Sequence, residues 1–187
     1  MPEGGTTKLA LAGAMKALMS EQPFQKITVG DICERCGMNR KSFYYHFLDK
    51  YDLVNWIYYT EFVETVTKEA LSTPWALSEA VCAYLYENRR FYANALTITG
   101  PNSFSEYFAS LLRPLIEFQI PPRDSEDAEN AAFTETFISD AFIISLRRWL
   151  TESPVTPPEI YLARVRRMIE LFGEVYRRDA EKEPPST

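Results

Sequence analysis

The chain has 187 residues, of which 46% are hydrophobic and 14% aromatic, enough for one or two small packed domains and too much for a disordered protein. Three cysteines are too few for the disulfide framework of a small secreted chain, and no apolar run reaches the length of about 18 residues that a membrane span needs. Residues 1–13 lack the charged start and apolar block of a signal peptide. We therefore expect a cytoplasmic protein without a membrane partner.

The charge of the chain is unevenly distributed. A net charge of −6 argues at first against nucleic acid as a partner, because protein binds phosphates through Lys and Arg. Residues 1–50, however, carry seven Lys or Arg against five Asp or Glu, whereas residues 51–187 carry 13 against 21. A mildly basic head on an acidic body fits a protein that presents one face to DNA and keeps the rest away from it.

Apolar residues recur at helical spacing along almost the whole chain, and no stretch alternates strictly in the manner of a half-buried strand. The predicted fold class is therefore all-α. Thr6 or Thr7 can cap a first helix that ends before Pro23. The apolar residues expected on or near its core face are Leu9, Ala12, Leu18 and Met19.

Two short helices follow around a tight turn. Thr28 is a good N-cap for a helix over Val29 to Cys36, Gly37 can end it, and Asn39 can cap a helix over Arg40 to Phe47. This layout is typical of a helix-turn-helix, in which the second helix enters the major groove of DNA. Residues 1–50 are thus predicted to form a three-helix DNA-binding domain.

The second helix of this pair has two distinct faces. Phe43 and Phe47 are four residues apart, so they share a face and can pack inward on Ile32 and on Leu9 or Leu18. A different face, at the start of the helix, carries Arg40, Lys41 and Tyr44. The first two can bond to guanine O6 and N7 in the major groove. Near phosphates we expect the helix start at Thr28 and the side chains of Ser42, Tyr45, His46 and Lys50.

The rest of the chain is predicted to be a larger helical domain over residues 51–180, followed by a disordered tail over 181–187. Asp49 can cap a long helix from Lys50 toward Ser72. Breakers rich in Pro, Gly and Asn separate the later helices, and the segment from Gln119 to Asp127 reads as a loop. The later helices are expected at 75–87, 89–97, 103–118, 126–151 and 159–178.

Two apolar stripes on the last two helices predict a homodimer. Two such stripes exceed what a small core must bury, and a symmetry mate would cover the surplus. The first stripe contains Phe133, Phe137, Ala141 and Ile144. The second contains Tyr161, Val165, Met168, Phe172 and Val175.

The stretches 27–32 and 36–47, with Asp49, Lys50 and Leu53 after them, closely resemble the DNA-binding domain of TetR-family transcription regulators. The resemblance covers about residues 6–54 and implies an operator-binding homodimer whose partner is double-stranded, pseudo-palindromic operator DNA. Position by position it implies base or near-base contacts from Arg40, Lys41 and Tyr44. It implies phosphate contacts from Thr28, Ser42, Tyr45, His46 and Lys50.

The C-terminal part resembles one branch of that family. The stretches 89–92, 100–104 and 142–150 are similar to the branch that includes activators of dihydroxyacetone-kinase operons. In those activators a separate protein senses the metabolite, so the resemblance leaves open whether a small-molecule effector or a sensor protein controls this chain. Aromatic side chains of the larger domain could line an effector cavity or simply fill the core. They are Trp56, Tyr59, Phe62, Tyr84, Phe91, Tyr92, Phe104, Tyr107, Phe108, Phe133 and Phe137.

Other chemistries are less well supported. Cys33 and Cys36 form a CxxC pattern, but a zinc site needs further ligands, and no second pair stands at metal spacing. We interpret both thiols as small buried residues on one helix face. His46 has no nucleophile motif or acidic partner at a recognisable spacing, and neither GxGxxG nor a P-loop occurs.

We therefore predict that the chain is not an enzyme and uses no cofactor or metal. The alternative is a helical adaptor that binds proteins and has lost DNA binding. Such an adaptor should have lost Arg40, Lys41 and Lys50, yet all three are present.

Overall fold

A computed structural model describes residues 3–66, 73–119 and 128–180 of the chain. The regular structure of these residues is helical, without strands, which confirms the predicted all-α fold. The helices are α1 (Glu3–Glu21), α2 (Val29–Arg35), α3 (Arg40–His46), α4 (Lys50–Glu61), α5 (Pro74–Glu87), α6 (Arg89–Ala95), α7 (Phe104–Gln119), α8 (Ala128–Thr151) and α9 (Pro158–Ala180). Short 3-10 turns cover Phe24–Lys26 and Val63–Thr65.

Side-chain caps fix the starts of α2, α3 and α4. Thr28 Oγ1 accepts the Asp31 N–H at 3.1 Å while the Asp31 carboxylate accepts the Thr28 N–H at 2.7 Å, which is a complete capping box. Asn39 Oδ1 accepts the Ser42 N–H at 2.9 Å, and Asp49 caps α4 in the same way. These caps lie where the sequence predicts them, because they depend on neighbouring residues alone.

The turn between α2 and α3 depends on glycine. Gly37 has a φ of +68°, in the left-handed region where glycine avoids the strain that a Cβ would cause. The Met38 N–H closes the turn on the Cys33 carbonyl at 2.8 Å. The predicted helix-turn-helix layout is therefore present in the structure.

The helix α4 is shorter than predicted. It ends at Glu61 instead of running toward Ser72, and the hydroxyl of Thr65 donates to the carbonyls of Phe62 at 2.8 Å and Glu61 at 3.1 Å. Hydroxyl groups that bond to nearby backbone compete with helix continuation. Residues 67–72, most of the predicted loop before Asp127 and the predicted tail over 181–187 lie outside the described residues.

The core of the N-terminal domain forms where α1 packs on α2, α3 and α4. Phe43, Phe47, Ile32 and Leu18 are all buried in the core, as predicted. Leu9 was expected on this face and is instead 63% exposed, because it lies about 160° around the helix from buried Leu11. The prediction for Leu9 is wrong.

Aromatic rings dominate the core of the C-terminal domain. The buried ring of Tyr58 in α4 has six ring neighbours at centroid distances between 5.3 and 6.5 Å. They are Phe62, Tyr84, Tyr92, Phe104, Tyr107 and Phe108. At the other end, Trp149 of α8 stacks on Tyr161 of α9 at 4.4 Å. Among the described helices, none is long and apolar enough to cross a membrane.

Candidate nucleic-acid interface

The helix α3 presents an exposed polar face opposite its buried aromatic face. Arg40 and Lys41 are exposed in its first turn, and Tyr44 and Tyr45 leave 58% and 83% of their surfaces exposed. Phe43 points inward and is fully buried. The spacing therefore gives α3 an anchored side and an open side, as recognition of a DNA groove requires.

Arg40 lies against the start of α2. A methyl group at Gly30 would lie 2.8 Å from Arg40 Nη2, so the absence of a side chain at Gly30 makes room for the guanidinium. Arg40 also lowers the pKa of Asp31, after the larger effect of the hydrogen bonds from Thr28. The guanidinium thus rests over the first turn of α2, beside the open face of α3.

Ser42 and His46 are half-buried. The Ser42 hydroxyl donates to Asn39 Oδ1 at 3.2 Å, and the His46 ring meets the Tyr45 ring edge-on at 4.8 Å. Both side chains are thus less open to solvent than those of Tyr44 and Tyr45.

Lys50 has an arrangement that the sequence did not indicate. Its ammonium donates to the carbonyls of Phe24 at 2.9 Å and Ile27 at 2.7 Å, and lies 4.1 Å from the centroid of the Phe24 ring. Burial lowers the pKa of Lys50, and the charge of Asp31 opposes this effect. Lys50 therefore holds the connection between α1 and α2 in the free protein.

Two further residues near α3, exposed Leu48 and half-buried Lys8, were not among the residues predicted for the interface. Leu48, just after α3, is 85% exposed, and Lys8 of α1 places its ammonium 5.6 Å from the Phe47 ring centroid and 5.4 Å from that of Trp56. Leu48 could have been noticed as an apolar residue between a core position and a helix cap. The position of Lys8 depends on how α1 packs, so no local signal reveals it.

Two of the cysteines lie in α2 and at its C-terminal cap. Cys33 is buried, and burial raises its pKa. Cys36 is half-buried and its thiol donates to the Ile32 carbonyl at 3.2 Å. Within residues 3–66, 73–119 and 128–180, no cluster of Cys, His, Asp and Glu could hold a metal ion. The interpretation of both thiols as small buried residues is confirmed for Cys33, whereas Cys36 is only half-buried.

A capped helix-turn-helix joined to a larger helical domain defines a class of two-domain DNA-binding regulators. Residues 11–57 match the family described as bacterial regulatory proteins, tetR family, and residues 73–171 match the family described as transcriptional regulator C-terminal region. The second match alone covers more than half of the chain. The chain belongs to the TetR family of transcription regulators, whose members are not enzymes.

The HTH-type dhaKLM operon transcriptional activator DhaS of Lactococcus lactis is 28% identical over 103 residues. This match spans about half of each protein, 54% of this chain and 54% of the relative.

Solved structures share the fold. The dihydroxyacetone kinase operon activator DhaS is 20% identical with a TM-score of 0.58, covering 88% of this chain and 95% of its own. A TetR regulator from Streptococcus agalactiae is 24% identical with a TM-score of 0.63, covering 89% and 95%. NalD of Pseudomonas aeruginosa, a secondary repressor of the MexAB-OprM multidrug efflux pump, is 18% identical with a TM-score of 0.53, covering 89% and 97%.

Proposed function

We propose that this protein is a cytoplasmic transcription regulator that binds a pseudo-palindromic operator as a homodimer. The observation that carries the proposal is the open face of α3, with Arg40, Lys41 and Tyr44 exposed beside a buried Phe43. Exposed Arg and Lys at the start of a recognition helix match the acceptors of guanine in the major groove. The TetR family supports DNA as the partner.

We assign a role in DNA binding to each candidate residue from its position in the structure. We assign base contacts to Arg40, Lys41 and Tyr44. Phosphate contacts are assigned to Thr28, Ser42, Tyr45 and His46, of which Tyr45 is 83% exposed.

Lys50 receives a revised role. A direct phosphate contact, as the sequence suggests, would require its ammonium to leave two backbone carbonyls. We therefore propose that Lys50 supports the interface mainly by holding the chain between α1 and α2.

We propose that the dimer forms through α8 and α9. Phe133 and Phe137 of α8 are 68% and 64% exposed, and Met168 and Phe172 of α9 are also exposed, so the protomer leaves an apolar surface uncovered on both helices. Tyr161 does not extend this surface as expected. It is buried in the protomer, where its hydroxyl donates to Ser145 Oγ at 2.9 Å.

We propose either a small molecule or a sensor protein as the controlling agent, and aromatic rings fill much of the described core of the larger domain. Most of the aromatic residues that could have lined an effector cavity pack on one another around Tyr58 instead. A cleft between the α6–α7 connection and α8 has a volume of about 190 Å³, below the range of about 300–1,000 Å³ that is usual for ligand pockets.

Selection of bound fragments from random DNA tests the proposal. The purified protein should enrich an inverted repeat with half-sites about one helical turn apart or a multiple of it, because the dimer imposes its two-fold symmetry on the operator. The matched control replaces Arg40, Lys41 and Tyr44 together with Ala, which leaves the buried face of α3 unchanged. Equal enrichment by parent and control would contradict the proposal.

A further inference from the structure

One side chain of the C-terminal domain caps a helix of the DNA-binding domain. Asn94 Nδ2, in α6, donates to the Met19 carbonyl at 3.0 Å and the Gln22 carbonyl at 2.9 Å, and Asn94 Oδ1 accepts the Phe24 N–H at 3.0 Å. The three bonds join residues 70 to 75 positions apart. Asn94 is half-buried and uses both ends of its amide in these bonds.

The end of α1 needs such a partner because of proline. In a continuing helix the Met19 carbonyl would accept the N–H of residue 23, but Pro23 has no N–H. A helix also ends with carbonyls that lack partners inside the helix. Asn94 supplies the donor that Pro23 cannot, so the C-terminal cap of α1 comes from the other domain.

The same segment is held from a second side. The Phe24 N–H is bonded to Asn94 and the Phe24 carbonyl to Lys50, while the Phe24 ring is fully buried. The backbone of Phe24 is therefore held between α6, through its N–H, and α4, through its carbonyl. Thr28, the N-cap of α2, follows four residues later. A shift of α6 would therefore move the segment that leads into the helix-turn-helix.

A second polar link joins α1 to the larger domain. Lys16 donates to Glu61 Oε2 at 2.7 Å, and the same carboxylate oxygen accepts from the Tyr84 hydroxyl at 2.9 Å. The two polar links lie at different points along α1 and add to the packing of α1 on α4 and α6. The bonds of Asn94 fix the end of α1 that leads into α2.

We propose that Asn94 is a positioning residue for operator binding, which sets the orientation of the DNA-binding domain on the C-terminal domain. The inference rests on the proposed function as a DNA-binding dimer. Two recognition helices engage a palindrome together only when each domain is held at the correct angle and spacing. Asn94 therefore affects the two-site contact without touching DNA.

The test compares three variants with the parent protein. Asn94→Ala removes all three bonds, and Asn94→Asp keeps an acceptor for the Phe24 N–H but loses the donors. Asn88→Ala is the matched control, because the half-buried Asn88 amide also donates to a carbonyl near a helix end, that of Tyr84 at 3.0 Å. The Asn88 bond lies wholly inside the C-terminal domain.

Affinity is measured for the selected palindrome, for a single half-site, and for palindromes lengthened or shortened by one or two base pairs at the centre. Asn94→Ala should bind the palindrome about tenfold more weakly, as the loss of two or three hydrogen bonds allows, while half-site affinity changes less than about twofold. The preference for one half-site spacing should also weaken. Asn88→Ala should keep the spacing preference of the parent.

An equal loss of palindrome and half-site affinity in Asn94→Ala would overturn the proposal, as would no loss at all. If Asn94→Ala does not fold, Asn94→Asp decides by the same measurements. Failure of both variants to fold would assign Asn94 to folding and overturn a positioning role. A parent that binds no DNA would instead refute the proposed function itself, leaving Asn94 nothing to position.

Discussion

Replacing Lys50 by Met tests whether its ammonium holds the chain between α1 and α2. Met keeps an unbranched side chain of similar length but leaves the carbonyls of Phe24 and Ile27 without their donor. We expect lower stability of the DNA-binding domain, because carbonyls that lose a partner in a partly buried site are poorly solvated.

The magnitude follows from the geometry. Hydrogen bonds to a charged group contribute about 1.5–3 kcal/mol each to stability, and Lys50 makes two at 2.9 and 2.7 Å. Its side chain is only partly buried, so solvent screening reduces this contribution. We expect the free energy of unfolding to fall by about 2–3 kcal/mol, including a small loss from the contact with the Phe24 ring.

Urea unfolding at fixed protein concentration measures the change, since the stability of a dimer depends on concentration. Lys41→Met is the matched control, because it removes the same charge from an exposed position on α3. The control should change stability by less than about 0.5 kcal/mol. A Lys50→Met variant as stable as the control would refute the inferred role of Lys50.

Three further predictions address the dimer, the thiols and the cap of α2. Phe137→Asp should give a monomer in sedimentation equilibrium, because it places a charge in the proposed interface. The control Leu9→Asp, on the exposed face of α1, should stay dimeric. If both variants are dimers, the assignment of α8 to the interface is contradicted. A thiol reagent at about pH 8 should label Cys36 and spare Cys82 in the native protein. Cys82 is fully buried, and burial raises its pKa to about 12. Rapid labelling of Cys82 would show that the core opens. The hydrogen bonds from Thr28 hold the pKa of Asp31 below its ordinary value of 3.8. The contribution of Asp31 to the free energy of unfolding is therefore present above that pH and is lost as the pH falls through the lower native pKa. Asp31→Asn should accordingly flatten the acid side of the stability profile, and an unchanged profile would speak against the capping box.

The sequence predicted the helix-turn-helix well because the signals are local. A capping residue, a turn glycine and apolar residues four apart act within a few positions, so Thr28, Gly37 and Phe43 could be assigned directly. Leu9 was wrongly predicted to face the core, because helical spacing alone does not show where the buried face of α1 ends. The packing of distant helices decided which face of α1 is buried.

The larger domain shows what local patterns miss. Tyr161 fits the apolar stripe of α9, yet it stacks on Trp149 inside the protomer. The bonds of Asn94 to the end of α1 span more than 70 positions, and no spacing rule connects them. Such contacts depend on how the two domains pack together, and the spacing of residues in the sequence does not predict that packing.

Base preference in the DNA-binding reaction tests the central claim most directly, namely that the first turn of α3 reads the operator. Binding of parent, Arg40→Ala and Tyr45→Phe to a library of operator variants would be compared at about 100 mM salt, since affinities depend on ionic strength. Arg40→Ala should lose about 1–3 kcal/mol per half-site and relax the preference at one base pair in each half-site. Tyr45→Phe should weaken all sequences alike, as loss of a phosphate contact does. If the parent showed no sequence preference, or if both variants changed it identically, the assignment of base reading to α3 would be contradicted.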